Sequence, residues 1–243
     1  MIIDIHAHCG KWFFPTFCEE AETVSKICDR FDIGRAVFSS SKAITYDMEA
    51  GNRDTAVFVE KDERFFGHLY LNPSDPRGSE REIRKYMARD RFVGVKLHPS
   101  YSGKSADSES TLRLLSQLPE GTPVLVHTWG ESGVREVSRL AREAVSLRVI
   151  MGHMGGTDRN GWMAGIAAAA ERENLFLEPC GSLLHRDRIA IAVEKAGADK
   201  LLFGTDMTLI DPSFSLGQIL GASITEDAKR RILETNALKL FDF

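Results

Sequence analysis

Short apolar runs alternate with longer amphipathic stretches along almost the whole chain. The runs have the length and the β-branched or aromatic content of buried strands. Eight strands are predicted: Ile2–His6, Arg35–Ser39, Phe65–Leu71, Phe92–Leu97, Pro123–His127, Arg148–Gly152, Asn174–Glu178 and Lys200–Gly204. The stretches between them repeat apolar residues at helical spacing. The predicted helices are Glu19–Asp29, Asp47–Lys61, Glu80–Arg89, Glu109–Leu118, Gly133–Ala144, Trp162–Arg172, Arg186–Ala196 and Glu226–Leu240.

Eight strands, each followed by a helix, predict an α/β protein with the (β/α)8 architecture of a TIM-type barrel. The length suits a single domain over residues 1–243, and no linker rich in Pro, Gly or Ser divides the chain. An open doubly wound sheet is the alternative, but it normally has a Gly-rich turn after its first strand. Here that turn reads His-Ala-His-Cys-Gly, which favours the barrel. The segments Cys9–Cys18 and Ser100–Asp107 are predicted to be long loops on the active face.

Ionisable side chains recur at the carboxyl ends of the predicted strands, and these ends meet at one rim of a barrel. The residues at these ends are His6, His8, Lys96, His98, His127, His153 and Asp206. Side chains alternate along a strand, so Asp4, His6 and His8 are predicted to point the same way. Two imidazoles at this spacing can converge on Zn²⁺ or another divalent first-row metal.

Composition and charge narrow the choice of partners. The net charge of -4 gives no electrostatic reason to expect binding to nucleic acid or to an anionic membrane. The four cysteines form no Cys-x-x-Cys pair and are predicted to be reduced thiols. Because signal-peptide features and membrane-length apolar runs are absent, the predicted location is the cytoplasm. A small-molecule substrate is the expected partner, and the sequence leaves open whether the protein forms a homo-oligomer.

Several strand-end motifs together resemble the amidohydrolase superfamily, specifically its branch of aminocarboxymuconate-semialdehyde decarboxylase-like enzymes. The motifs are Asp4-x-His6-x-His8, Asn72-Pro73, Gly94-Val95-Lys96-Leu97-His98-Pro99, Val126-His127, Gly152-His153-Met154-Gly155-Gly156, Leu202-Phe203-Gly204-Thr205-Asp206 and Asn236-Ala237-Leu238-Lys239-Leu240-Phe241. The chain departs from the pattern at Leu177-Glu178-Pro179-Cys180-Gly181, which lacks the hydroxyl-rich end of the seventh strand. It is also shorter than the decarboxylases of this branch.

The resemblance implies one divalent metal, Zn²⁺ in the first instance, with His6, His8, His127 and Asp206 as ligands. It also implies that His153 acts as an acid or base beside a metal-bound water, whose pKa the metal lowers. Asp206 would bind the metal through one oxygen and accept the proton of the water through the other.

Lys96 and His98 are candidate substrate-binding residues, and they allow two designs of the site. Lys96 is predicted to bind a substrate carboxylate or to orient His98. Alternatively, a carboxylated Lys96 would bridge two metals, and His153 would then be a ligand of the second. Trp129 and Trp12 are candidate walls of the substrate pocket.

Three functions remain open at this point. The first is a metal-dependent hydrolase that acts on a small lactone, amide or ester through a metal-activated water. The alternative is a nonoxidative metal-dependent decarboxylase, or a hydratase, of a small unsaturated or aromatic carboxylic acid. The third is a metal-binding barrel without catalysis. The sequence favours the hydrolase, because the helical insertions associated with the decarboxylases are missing.

Overall fold

A parallel sheet forms the centre of the fold. The computed structural model describes residues 1–16, 20–181, 185 and 187–243. Seven parallel strands follow one another in chain order across the sheet. They are β1 (Ile2–Cys9), β2 (Ile33–Ser40), β3 (Phe65–Tyr70), β4 (Phe92–Leu97), β5 (Pro123–His127), β6 (Arg148–Gly152) and β7 (Leu175–Glu178). Each of these seven coincides with a predicted strand to within a few residues.

The eighth predicted strand is an extended segment that bonds to both edges of this sheet. The backbone N–H of Leu202 donates to Leu177 O of β7 (2.9 Å), and that of Ile5 in β1 donates to Phe203 O (3.0 Å). The pairing of this segment consists of isolated bridges, Leu177 with Leu201 and Ala7 with Met207, and Asp206 (φ 63°) departs from the extended conformation between them. The α/β fold is therefore consistent with a TIM-type barrel, although its eighth member is not a regular strand.

Helices follow the strands. They are α1 (Ala21–Arg30), α2 (Ser41–Thr45), α3 (Met48–Val59), α4 (Pro76–Tyr86), α5 (Pro99–Ser102), α6 (Glu109–Leu115), α7 (Gly130–Glu143), α8 (Arg159–Glu171), α9 (Arg188–Ala196), α10 (Pro212–Leu220), α11 (Glu226–Arg230) and α12 (Asn236–Leu240). Residues 231–235 between the last two are π-helical. No described helix is long and apolar enough to cross a bilayer.

Three of these helices were not predicted from the sequence: α2, α5 and α10. Helix α5 overlaps the segment Ser100–Asp107, which was predicted to be a long loop. The predicted starts at Glu19 and Arg186 fall outside the described residues, as does Cys18 in the other predicted loop. Cys9, Cys28 and Cys180 are free thiols, as the sequence predicts.

Asp4 does not join the histidines that follow it, contrary to the alternation expected along β1. The pairing of β1 with β2 shifts register between Asp4 and Ala7, and the backbone N–H of His6 donates to Asp4 Oδ1 (3.0 Å). The carboxylate of Asp4 also accepts from the backbone N–H of Thr205 (3.1 Å). A register shift of this kind re-aims the side chains beyond it. Burial raises the pKa of Asp4 to about 7, although these hydrogen bonds oppose the shift.

Apolar side chains fill the interior towards the amino-terminal ends of the strands. This basal core consists of Ile3, Ile5, Val37, Phe66, Val93, Leu125, Ile150 and Leu202, with Ala237, Leu240 and Phe241 from the carboxyl terminus. Fully burying one large aliphatic or aromatic side chain contributes about 1.5–3 kcal/mol. The chain terminus thus closes one end of the interior, and the ionisable residues lie towards the other end.

Candidate metal centre

Seven of the predicted site residues come from the carboxyl ends of three strands and from the turns that follow strands. His6 and His8 lie in β1, Lys96 in β4 and His127 at the end of β5, whereas the other three follow β4, β6 and the eighth segment. All of them except the half-buried His127 are buried. The structure therefore brings residues from distant parts of the chain to one end of the sheet.

A first group of possible metal ligands consists of His6, His8 and Asp206, whose donor atoms lie within 4.8 Å of one another. Asp206 Oδ1 lies 2.9 Å from His8 Nε2 and 3.7 Å from His6 Nε2. The other ring nitrogen of His8 faces the backbone carbonyl of Ser39 (3.3 Å), which keeps its Nε2 directed at Asp206. Two imidazoles and one carboxylate suit Zn²⁺ and other divalent first-row metals, so the donor set fits such an ion.

A second group shares His6 but uses its other nitrogen. It consists of His6, His153, Glu178 and Cys180, all of which are buried. His6 Nδ1 lies 2.7 Å from Glu178 Oε2. Cys180 Sγ lies 3.1 Å from the same oxygen and 3.3 Å from His153 Nδ1. In the sequence, the segment that contains Glu178 and Cys180 stood out only as a departure from the family pattern.

His127 stands apart from the other three predicted ligands. Its Nδ1 is hydrogen bonded to His153 Nε2 (3.0 Å), and its ring stacks on His98 with centroids 3.9 Å apart. The structure therefore groups His6, His8 and Asp206 and pairs His127 with the proposed proton-transfer residue His153. A ligand role for His127 stays a prediction.

Lys96 lies at the centre of the site. Its Nζ is 2.6 Å from His6 Nε2, and its side chain is 1% exposed. Burial lowers the pKa of Lys96 to about 8, although the charges of Asp206, Cys180 and Glu178 oppose the shift. An ammonium group in this position can pair with an anionic group that enters the site.

Burial favours the neutral form of four site histidines, whereas Asp206 is held ionised. Burial, followed by the charges of neighbouring Lys96 and other histidines, lowers the pKa of His6, and burial lowers that of His98 to about 2. Burial also lowers the pKa of His127 and His153. For Asp206, burial would raise the pKa, but the hydrogen bond with His8 and the surrounding histidines bring it well below its usual value. Neutral imidazoles and an ionised carboxylate are the states in which these groups bind metals.

Two site residues have strained backbones. His153 (φ 59°) and Asp206 (φ 63°) lie in the left-handed region, which residues other than glycine rarely adopt. Strain of this kind persists where the surroundings hold it. Arg188, a buried guanidinium, supplies one such restraint, because it donates to Pro179 O (2.6 Å) and His153 O (3.4 Å). It thus joins the turn after β6 to the end of β7.

Trp12 and Trp129 lie at different edges of the site. The ring of Trp12 packs edge-on against His8 with centroids 5.2 Å apart. Trp129 is half exposed, and its ring lies parallel to that of His127 at 5.9 Å. A cavity of about 290 Å³ opens beside His127 and Trp129, and Lys104 contributes to its lining. His98 is buried and does not line this cavity, and its Nδ1 has no hydrogen-bond partner among the described residues.

The sequence missed three residues that contact the site: Glu178, Cys180 and Arg188. Glu178 ends β7, so the reading of strand ends that found the histidines could have found it too. Cys180 follows two residues later and had no recognisable pattern. Arg188 begins α9, where an arginine is ordinary, and only the fold brings it to the turn after β6.

Comparisons with known proteins identify the family. The Amidohydrolase family model matches residues 3–243, so the chain belongs to this family, as the sequence motifs indicated. Gamma-resorcylate decarboxylase of Rhodococcus jostii (strain RHA1) is 23% identical in an alignment 262 positions long, which covers 85% of this chain and 79% of that protein.

Solved structures share the fold at low identity. A dihydroxybenzoic acid decarboxylase from Polaromonas sp. JS666, with bound manganese and the inhibitor 2-nitroresorcinol, has a TM-score of 0.77 at 18% identity and covers 98% of this chain and 96% of its own. An amidohydrolase from Burkholderia multivorans with bound zinc has a TM-score of 0.77 at 12% identity, covering 99% of this chain and 98% of its own. These similarities establish the fold alone.

Proposed function

We propose that this protein is a nonoxidative, metal-dependent decarboxylase of a small aromatic or unsaturated carboxylic acid. The likeness to gamma-resorcylate decarboxylase over most of the chain supports this function, which the sequence gave as the alternative to a hydrolase. The hydrolase that the sequence favoured is not confirmed. A divalent cation is part of the proposal, and both Zn²⁺ and Mn²⁺ suit the donor set of two histidines and an aspartate.

The observation that carries the proposal is the position of the Lys96 ammonium beside the first group of ligands. It lies 2.6 Å from His6 Nε2 in a site that is almost closed to water. A charge pair is much stronger in such a site than in water, so a substrate carboxylate would gain from lying near Lys96. Lys104 in the lining of the adjacent cavity offers a second cation to an acidic substrate.

The reaction needs a proton at the carbon that loses its carboxyl group. The carbon–carboxyl bond breaks, its electron pair stays on the carbon, CO₂ leaves, and a proton forms the new C–H bond. His153 delivers this proton, and His127, which is hydrogen bonded to it, resupplies the proton. The charge of an anionic substrate raises the pKa of His153, so that the imidazole can carry the proton it gives.

His6, His8 and Asp206 would hold the cation in this scheme. The cation would act as a Lewis acid that polarises the substrate's oxygen atoms when it is bound. Trp129 and Trp12 would form the walls against which an aromatic or planar unsaturated ring packs.

Isotope labelling separates this reaction from hydrolysis. Protein loaded with Mn²⁺ or Zn²⁺ would be incubated in D₂O with 2,6-dihydroxybenzoate, other hydroxybenzoates and small unsaturated acids, and CO₂ and products would be measured. We expect release of CO₂ and one deuterium on the carbon that carried the carboxyl group. A parallel panel of lactones, amides and esters in H₂¹⁸O would reveal a hydrolase by incorporation of ¹⁸O. Turnover of that panel with no decarboxylation would overturn the proposal.

A further inference from the structure

Glu178 is a fully buried carboxylate at the end of β7. A buried carboxylate is costly unless hydrogen-bond donors surround it. Glu178 Oε1 accepts from the backbone N–H of Cys180 (2.5 Å). Glu178 Oε2 lies 2.7 Å from His6 Nδ1 and accepts from the Cys180 thiol (3.1 Å) and from the backbone N–H of His153 (3.4 Å). These donors fix the carboxylate in one orientation.

We infer that Glu178 is a positioning residue that holds His6 in the tautomer able to bind a metal. Its carboxylate accepts the Nδ1–H of His6, which leaves the lone pair on Nε2. Lys96 Nζ, an obligate donor 2.6 Å from that Nε2, requires the same tautomer. Carboxylates that accept a proton from a ligating histidine fix its ring and increase its basicity. The inference rests on the proposed metal centre and not on the reaction catalysed there.

The absence of a side chain at Gly204 makes room for this carboxylate. A Cβ atom added to Gly204 would lie 2.6 Å from Glu178 Oε1, well inside contact distance. Gly204 lies two residues before Asp206, so the same segment delivers a ligand and leaves space for the group that orients another. Substitution of this glycine therefore offers a way to displace the carboxylate without changing its chemistry.

The group formed by His6, His153, Glu178 and Cys180 could instead hold a second, thiophilic metal ion. We favour the positioning role because groups that carry hydrogens already surround Glu178. The Cys180 thiol is one of them, and it donates its proton to Oε2. The two roles differ in whether Cys180 is a ligand, so the experiment includes this cysteine.

The main test is Glu178→Gln. The amide oxygen fits the place of Oε1, where it accepts from the backbone N–H of Cys180, so the amide nitrogen faces His6 Nδ1. This donor forces the Nε2–H tautomer on His6. We expect the dissociation constant for Mn²⁺ or Zn²⁺, measured by chelator competition, to rise by about 10–100-fold. Glu82→Gln is the matched control, since Glu82 is a buried carboxylate that is bonded to Asn52 and belongs to neither group of possible ligands, and it should leave metal affinity unchanged.

Long-range ¹H–¹⁵N spectra of the metal-free protein report the tautomer directly, with the His6 signals assigned by their loss in His6→Ala. We expect Nδ1–H in the wild type and Nε2–H in Glu178→Gln. A wild-type Nε2–H tautomer, or unchanged metal affinity in Glu178→Gln, would overturn the inference. Because these spectra need neither metal nor substrate, failure of the proposed function leaves this result interpretable.

Two further variants separate the alternatives. Gly204→Ala should weaken metal binding in the same direction as Glu178→Gln, because it pushes the carboxylate away from His6. Cys180→Ala should keep metal affinity within about threefold, since it removes one of several donors to Glu178. With Co²⁺ in place of the native metal, we expect no thiolate-to-metal absorption band. Such a band, lost together with one metal equivalent in Cys180→Ala, would show that Cys180 is a ligand and overturn the positioning role.

Discussion

The two ends of the same strands differ in chemistry. On β5, Leu125 packs in the apolar basal core, whereas His127, two residues later, stacks on His98 and bonds to His153. The same change occurs in β1, where Ile5 belongs to the basal core and His6 contacts Glu178 and Lys96. A step of one or two residues along a strand thus separates a side chain that stabilises the fold from one that can do chemistry.

The two ends of the strands also differ in how burial affects the free energy of folding. Burial of each apolar side chain in the basal core stabilises the folded protein. The other end buries Lys96, Glu178 and Asp206, whose desolvation is unfavourable and is offset only by close partners. Substitutions in the basal core should therefore lower the stability of the fold, whereas substitutions at the site should lower metal binding or turnover.

The largest effect is expected at the first group of ligands. His6→Ala and Asp206→Ala each remove one of three donor atoms that lie within 4.8 Å of one another, and two remaining ligands hold a divalent ion poorly. We expect both variants to lose tightly bound metal and all measurable turnover, while they remain folded. Elemental analysis of the purified proteins checks the metal content. Full occupancy in both would show that the ion is held elsewhere.

The pair Leu125→Ala and His127→Ala tests the contrast within one strand. Leu125 is fully buried, so its truncation should lower the free energy of unfolding by about 2–5 kcal/mol with metal affinity unchanged. His127→Ala should cost less stability but impair turnover, because it removes the partner of His153. Denaturant unfolding and metal titration of both variants check this. Equal losses of stability would contradict the division between the two ends.

The fold was largely predictable from the chain, because apolar runs and helical spacing mark elements that depend on local pattern. All seven strands of the sheet were predicted. Helix α4 was predicted to start at Glu80, yet Asp75 caps it and Pro76 occupies its first turn, a start signal that was overlooked. Helix α2, with only five residues, is too short to show a helical period.

The site was predictable only as far as strand ends reveal it. The histidines, Lys96 and Asp206 share that position, and the structure brings them to one end of the sheet. The orientation of Asp4 depends on a register shift in β1, which side-chain alternation cannot reveal. The pairing of His127 with His153 and the restraint by Arg188 arise from contacts 26 and 35 residues apart in sequence, so no local pattern records them.

An intermediate effect is expected at His153. The structure pairs its Nε2 with His127, and its Nδ1 lies near Cys180 and not in the first group of ligands. His153→Asn should therefore keep the metal and lower turnover by about a hundredfold, within the usual contribution of general acid–base catalysis. Steady-state kinetics and metal analysis on the same preparation check both parts. Loss of one of two metal equivalents would instead make His153 a ligand.

The smallest effect is expected at Lys96, and it distinguishes the two designs of the site. If Lys96 is an ammonium that binds the substrate's carboxylate, Lys96→Met weakens binding of ground state and transition state alike. We then expect KM for acidic substrates to rise about tenfold, with kcat and metal content little changed. A tenfold rise corresponds to about 1.4 kcal/mol of binding free energy, close to the contribution of one charged hydrogen bond. Lys85→Met is the control, because Lys85 lies on α4 with its side chain half exposed and should leave both constants unchanged.

If Lys96 is instead carboxylated and bridges two cations, the same substitution removes a metal equivalent, and bicarbonate in the growth medium affects recovery of activity. The ammonium is the state we expect, because Nζ lies 2.6 Å from His6 Nε2 and can donate a hydrogen bond to it, which a carboxylated amine could not do in the same way.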